Sequence, residues 1–497
     1  MTQFKPSPYQ LAIYNFIEKS SGNAVISAVA GSGKTTTIVE ALKLIPKTMS
    51  VIFIAFNKSI VAELKWRVPD FVDVSTVHSV GWGATRQRYP KSRIDDKKVY
   101  YFLREISSMW EELELMDDEE ERQEYINRVR KLIDLARLNL ISDVKILEDM
   151  AEKHSIDITN GECKKALDCV RALTTKTDTF DFVDMLYIPA IKKLPMLETY
   201  DWVFVDECQD LNVAQQEIFK MLMKQGSRFV AVGDLSQSIY GFCGADIESF
   251  NKLKNMPNTI ELPLSVSYRC GKRIIEKAQE IVPHITYPET AKDGEVRYDG
   301  KTEEIMEGDM VLCRNTAPLV MLCLKMLATG KKAMILGGDI GKSLIAMVNK
   351  TKQRDINQMF ERLSKQRGFL IQQICKRKRL EEAEAIQERA VVMFDEKVKV
   401  FEIICNEQGI KTTETLVKRL NELFSDDRKG VVCSTIHKAK GLECSTVHII
   451  CRELMPSSYA KKEWEKAQED NLMYVAYTRA KDRLIFISDF EYKTNDN

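Results

Sequence analysis

A chain of 497 residues exceeds what one hydrophobic core usually organises, so its length points to roughly two to four domains. Lys+Arg and Asp+Glu both number 73, which excludes any argument from net charge for nucleic-acid or membrane binding; such affinity must come from local surfaces. No run approaches about 18 apolar residues, and 12 cysteines occur without a C-x-x-C pair, which argues against a membrane span or a disulfide framework and for a reduced, cytoplasmic protein.

The first ten residues lack the apolar centre of an export leader. A predicted strand, Ala24 to Val29, then runs into Ala28-Val29-Ala30-Gly31-Ser32-Gly33-Lys34-Thr35, the pattern of a phosphate-cradling loop with Ala28 where the strict form has glycine. Gly31 and Gly33 let backbone N–H groups close around phosphate oxygens at a helix start, where the dipole favours anions. Lys34 reaches the β- and γ-phosphates in such a loop, and the Thr35 hydroxyl serves Mg²⁺. A second strand is expected at Val51 to Phe56, then a charged, helix-like stretch from about Arg86 to Thr177 with an acidic run from Glu111 to Glu124.

Strand Trp202 to Val205 delivers Asp206-Glu207-Cys208-Gln209-Asp210 to its end. Two adjacent acids there suit metal-assisted phosphoryl transfer, with Asp206 on the metal and Glu207 orienting or deprotonating the attacking water. A strand at Phe229 to Val232 completes the first α/β block. A second block holds strands at Met310 to Cys313, Ala333 to Leu336, Val431 to Ser434, Thr446 to Cys451 and Leu484 to Ile487. It is interrupted from about Gly341 to Asp427 by a helix-like stretch with basic residues at Arg362, Lys365, Arg367 and Lys376 to Arg379, either a solvated face or a nucleic-acid contact. Cys433, His437, Cys444, His448 and Cys451 crowd together, but they lack the close ligand pairs of a zinc site, and the last two fall on an expected buried strand; no structural zinc is expected.

Further segments extend the pattern: Gln10; Ala55-Phe56-Asn57-Lys58; Thr76-Val77-His78-Ser79; Asp181-Phe182-Val183-Asp184; Gly233-Asp234-Leu235-Ser236-Gln237-Ser238-Ile239-Tyr240-Gly241-Phe242; Ser267-Tyr268-Arg269; Thr435 to Glu443; and Tyr474 to Ala480. In order and spacing these resemble superfamily 1 helicases of the UvrD, Rep and PcrA type over nearly the whole chain outside the two inserts. The resemblance implies two RecA-like P-loop domains with parallel sheets, each with a helical insertion. Motor domain 1 is expected at 1–85 and 178–262 with insertion 86–177, and motor domain 2 at 263–340 and 428–497 with insertion 341–427.

It also implies roles. ATP would meet Gln10, Ala30 to Thr36, Tyr268 on the adenine face and Glu443 at the ribose. Gln237 would sense the γ-phosphate, and Arg269 and Arg479 would act as arginine fingers, worth roughly 10³ to 10⁵ in rate, where a surface ion pair would bring only about 0 to 1 kcal/mol. Phe56, Asn57, Thr76, His78, Tyr240, Phe242 and His437 match positions that line a single-strand channel, where aromatics stack on bases.

The sequence departs from the family at Cys243, where arginine is usual, at Thr36, where an adenine-facing arginine is usual, and at Ser267 and Cys270, where Asn and Ser are common; the second insert is also short. The implied function is a Mg-ATP-driven DNA helicase moving 3′ to 5′ on single-stranded DNA and separating tailed duplex, with loading, repair or replication proteins as further partners. The alternatives are a translocase that strips proteins, an RNA-acting helicase, and a nucleotide-gated binding protein without hydrolysis. The little chain beyond Arg479 argues against a fused nuclease.

Overall fold

The computed structural model describes residues 6–106, 110, 113, 119–154, 156, 161–239, 248–425, 430–457, 460 and 462–492. The chain divides into two compact units, Met1–Ser265 and Val266–Asn497.

In the first unit the strands are β1 (Asn23–Ala28), β2 (Val51–Ala55), β3 (Val72–Thr76), β4 (Arg93–Ile94), β5 (Thr179–Phe180), β6 (Tyr200–Val205), β7 (Met223–Gly233) and β8 (Thr259–Leu264). Six of them form one sheet in the order β3-β2-β6-β7-β1-β8, every neighbouring pair parallel. Continuous apolar runs such as Val51 to Ala55 and Phe229 to Val232 form these strands because both faces are covered. Val51, Phe53 and Ala55 face a core shared with Ile13, Phe16 and Ile38, whereas Ile52 and Ile54 face Leu186, Ile218 and Phe219.

Between β4 and β5, which pair with each other, the chain leaves the sheet as helices Lys98–Ile106, Glu119–Leu138, Val144–Lys153 and Glu162–Thr175. They bury their own core, including Phe102, Leu103, Val129, Leu132, Leu167 and Val170.

The second unit has β9 (Glu295–Gly300), β10 (Met310–Cys313), β11 (Ala333–Leu336), β12 (Phe424–Ser425), β13 (Val431–Thr435), β14 (Cys444–Ile449) and β15 (Ala480–Ile487), in the all-parallel order β12-β11-β13-β10-β14-β15-β9. Five helices lie between β11 and β12: Gly338–Lys350, Ile356–Lys378, Glu382–Ile386, Arg389–Gln408 and Thr413–Leu423. They are less separate than the sequence suggests. Leu344, Met359, Phe401, Ile404, Leu416 and Leu420 share one core with Val311 and Ile335 of the sheet, and only Ile371, Ile374, Ala385 and Val391 form a small cluster of their own.

Candidate nucleotide and nucleic-acid sites

Parallel register places the carboxyl ends of β1, β7, β6, β2 and β3 along one edge of the first sheet, with Ser27 beside Gly233, Val205 beside Ala231, Ile54 beside Val205 and Ala55 beside Thr76. Ligands of open parallel sheets bind at such an edge. The loop after β1 turns on Gly31 (φ 71°) and Gly33 (φ 77°), left-handed conformations that favour glycine. Helix Lys34–Leu42 begins at Gly33 with no side-chain cap, so its first N–H groups remain as donors for an anion. The Ser32 hydroxyl in the loop is buried and has no hydrogen-bond partner among the described residues. An unsatisfied buried hydroxyl beside uncapped N–H groups fits a phosphate chain.

Gln10 closes one side of this loop. It forms a capping box with Ser7 at the start of helix Pro8–Lys19 and donates its side-chain amide to Thr37 Oγ1 at 3.0 Å. Thr37 Oγ1 in turn donates to the Gly33 carbonyl at 2.9 Å. At Thr36, Arg67 Nη2 donates to the threonine hydroxyl at 3.3 Å.

Lys34 extends to Glu207, Nζ to Oε1 2.7 Å. Burial pushes the Lys34 ammonium toward neutrality, but Glu207, Asp206 and Asp234 outweigh it and hold its pKa above the usual lysine range. Asp206 is pushed up to about 6, first by burial and then by the charge of Glu207. A divalent cation beside it would relieve both causes, so Asp206, with Thr35 in the first turn of the loop helix, suits Mg²⁺. Glu207 adopts φ 51°, unusual for a residue with a side chain, at the start of the 3₁₀ turn Cys208–Asp210.

Gln209 and Asp234 carry a linkage that the motif reading left without a role. Gln209 Nε2 donates to Glu207 Oε2 (2.5 Å), its Oε1 accepts the Asp234 N–H (3.1 Å), and Asp234 Oδ2 accepts Gln237 Nε2 (2.6 Å). Lys34, Glu207 and Gln237 are thus tied by hydrogen bonds through the Gln209 side chain and the backbone N–H and carboxylate of Asp234. Gly233 makes the close approach possible, since a Cβ there would lie 2.6 Å from Gln209 Oε1 and 2.7 Å from Cys208 Sγ. The signal in the sequence was the polar residue two places after Glu207 and the aspartate three before Gln237.

In the second unit, Tyr268 is half exposed. Arg269 pairs with Glu443 at 2.8 Å and donates to the Thr478 carbonyl at 3.2 Å. Burial raises the Glu443 pKa, but Lys481 and Arg269 outweigh it and hold the carboxyl below its usual range. Arg479 is 1% exposed and donates to the carbonyls of Val475 and Leu442 and to Thr478 Oγ1. Its guanidinium is held inside its own unit.

At the β2 and β3 ends the Phe56 ring is 48% exposed, as a stacking surface requires. Asn57 and Thr76 have local work: Asn57 caps helix Lys58–Lys65 through the Ile60 N–H, and Thr76 caps helix Val77–Arg88 through the Ser79 N–H. Such caps contribute about 1 kcal/mol each, so helix initiation alone accounts for both residue types. His78 follows in the first turn, where burial lowers its pKa and keeps it neutral at neutral pH. His437 lies in the turn after β13. Tyr240, Phe242 and Cys243 lie outside the described residues.

In the basic stretch, Arg367 is committed to Asp395 through two bonds of 2.7 and 2.8 Å. The segment Lys376 to Arg379 gives a test: if it touches phosphates, exchange of all four for glutamine flattens the plot of log DNA affinity against log salt by about 0.7 to 0.9 per lost contact. An unchanged slope assigns it to a solvated face.

Two parallel sheets, the first with a phosphate loop at the end of β1, define a P-loop protein built on two RecA-like domains. The family model of the UvrD/REP helicase N-terminal domain matches residues 11–258, and that of the UvrD-like helicase C-terminal domain matches residues 340–491. The chain belongs to the UvrD-like helicase family.

It is similar to the F-box DNA helicase protein 1 of Schizosaccharomyces pombe, 23% identical over 93% of this chain and 55% of that protein. It is also similar to the ATP-dependent DNA helicase Rep of Buchnera aphidicola, 26% identical over 53% of this chain and 41% of that protein. A third relative, the ATP-dependent DNA helicase PcrA of Staphylococcus epidermidis, is 27% identical over 54% of this chain and 39% of that protein. The chain spans about half the length of the curated relatives it matches. No helix among the described residues is long and apolar enough to cross a membrane.

Proposed function

We propose that the chain is a DNA-dependent ATPase that moves along single-stranded DNA and separates duplex. The observation that carries this reading is the Lys34–Glu207 pair at the phosphate loop, linked through Gln209 and Asp234 to Gln237. The uncapped helix start and Lys34 bind the phosphates of ATP, Glu207 takes the proton of the attacking water, and Gln237 is placed to report the γ-phosphate. Mg²⁺, held by Thr35 and Asp206, would neutralise charge on the phosphate oxygens. Gln10, Tyr268 and Glu443 are assigned to the nucleoside, and Arg269 and Arg479 to the charge that develops on the transferred group. Both arginines must first exchange their present partners.

Phe56, Asn57, Thr76, His78, Tyr240, Phe242 and His437 are assigned to the strand. The motor domains and insertions follow the boundaries expected from the sequence, and a cytoplasmic location suits DNA as substrate. The deciding experiment is ATP hydrolysis with single-stranded DNA, RNA and duplex side by side; stimulation by single-stranded DNA above the other two supports the reading, and none by any nucleic acid refutes it.

Movement is assigned 3′ to 5′. At equal tail length and salt, duplex with a 3′ single-stranded tail is expected to unwind in preference to duplex with a 5′ tail; efficient unwinding confined to the 5′-tailed substrate reverses the assignment and leaves the ATPase intact. One observation favours a second reading, a translocase that strips proteins. Much of the segment between β11 and β12 is built into the second unit's own core, leaving few helices to engage a duplex. Translocation without separation of a bare tailed duplex would select it.

A further inference from the structure

Helix Lys98–Ile106, the first of the insertion between β4 and β5, buries Val99, Phe102 and Leu103 in the insertion's core. Its opposite side is unusual. Tyr100 and Tyr101 are 45% and 50% exposed, with rings edge-on to each other at 5.5 Å, so each offers a face in a different direction. Helical spacing puts Lys97 and Arg104 on the same stripe, one turn before and one turn after the pair. Lys91 and Arg93, just upstream, are exposed as well, and Ile94 on β4 is 46% exposed.

None of these four cations has a carboxylate partner among the described residues. Among the described residues the nearby acids are mostly committed: Asp95 accepts the Lys97 N–H at 2.9 Å and Glu105 pairs with Lys176 at 3.6 Å, leaving Asp96 exposed. Some exposed cations elsewhere in the unit find partners among the described residues, as Arg67 does with Glu63 and Arg171 with Asp168, and others such as Lys47 and Lys65 do not; what sets this face apart is four such cations beside two exposed rings.

We infer that this face binds an unpaired nucleic-acid strand at a site separate from the sheet-edge residues, with Tyr100 and Tyr101 stacking on bases and Lys97, Arg104, Arg93 and Lys91 following phosphates. Aromatic faces flanked by unpaired cations match what a single strand presents, π-faces joined by regularly spaced anions. A duplex hides its base faces, so it would use the cations and ignore the rings. Tyrosine suits the task because its ring loses little side-chain entropy on binding. The inference rests on the reading of the chain as a DNA-acting motor.

The test measures binding of the full chain to fluorescent oligothymidylate of about 40 nucleotides and to blunt duplex of similar length. Tyr100→Ala with Tyr101→Ala is expected to weaken oligothymidylate binding about ten- to hundred-fold, to leave duplex binding unchanged, and to be rescued by Tyr100→Phe with Tyr101→Phe. Lys97→Gln with Arg104→Gln is expected to reduce the salt slope for the oligonucleotide by about 1.4, two contacts at about 0.7 each. Both ring-bearing positions are exposed, and unchanged ATP hydrolysis without DNA will show that the variants fold.

Wild-type binding of oligothymidylate with no change in either variant overturns this inference alone. So does a loss through the cation pair that is equal for duplex and oligonucleotide while the alanine pair has no effect. Failure of the wild-type chain to bind oligothymidylate at all overturns the functional reading with it.

Discussion

Glu207→Gln is expected to lower DNA-stimulated ATP turnover about 10² to 10⁴-fold, the usual worth of a positioned general base, while nucleotide binding persists. Glu207 holds Lys34 through Oε1 and Gln209 through Oε2. A glutamine side chain of the same shape keeps a carbonyl oxygen for Lys34, although its new amide meets the Gln209 Nε2 donor to donor and loosens that one bond, because Gln209 Oε1 is held by the Asp234 N–H. The substituted glutamine cannot take a proton from water.

Removing the charge also weakens the hold on Lys34, the cation that the phosphates need, so affinity for ATP is expected to stay level or rise. Lys34→Ala should behave differently. It takes away the counter-charge of Asp206, Glu207 and Asp234 together, so binding and turnover are both expected to fall. Stopped-flow binding of a fluorescent ATP analogue beside steady-state hydrolysis separates the two variants. Turnover by Glu207→Gln at near the original rate would remove the residue from catalysis.

The parts of this site that sequence made legible are those in which one residue type has one chemical use. Gly31, Gly33, Lys34, Asp206 and Glu207 were readable because loop, cation and acid pair each follow an apolar run, and those runs became β1 and β6. The two-residue strands β4, β5 and β12 carry no pattern long enough to read, and of the longer strands β3, β8 and β9 were missed. β3 alternates exposed and buried positions over only Val72–Thr76, β8 carries Pro263, and β9 contains Glu295, Arg297 and Asp299, so none presents a continuous apolar run.

All three are sheet edges or lie against one, where polar side chains meet water. The relay through Gln209 and Asp234 depends on how far apart β6 and β7 sit, which no local pattern states. The caps at Asn57 and Thr76 show the opposite effect, since a residue type expected to touch nucleic acid is already engaged in starting a helix. Thr36 lacks the guanidinium expected at its position, yet Arg67, thirty-one residues later, brings one to its hydroxyl. Only the tertiary fold makes that visible.

The largest stability effect is expected from Arg137→Met, which should destabilise the first unit by about 3 to 5 kcal/mol, the cost of breaking a buried ion pair from one side. Arg137 is 1% exposed. It donates to both oxygens of Asp181, to Asp184 Oδ1 at 3.0 Å and to Asp134 at 2.6 Å. Lys98 Nζ holds the other Asp184 oxygen at 2.7 Å.

The two cations come from insertion helices, whereas Asp181 and Asp184 stand where the chain returns from β5 to the sheet's own helices, so the cluster fastens the insertion to the α/β body. Methionine fills the space of the arginine stem but leaves Asp181 and one oxygen of Asp184 buried without a counter-charge. Asp134, 38% exposed on its side chain, can turn to water and adds little.

For a unit of this size the loss corresponds to roughly 6 to 20 °C in the first thermal transition. Arg137→Lys should fall between, because an ammonium preserves the charge but cannot bridge three carboxylates as the guanidinium fork does. Calorimetry of the full chain, with the transition of Met1–Ser265 followed by Trp82 and Trp110 fluorescence, reads the effect directly. A shift of Arg137→Met within about 1 °C of the parent would show that the insertion is held by its apolar contacts alone, including Phe180 against Trp82 and Tyr89.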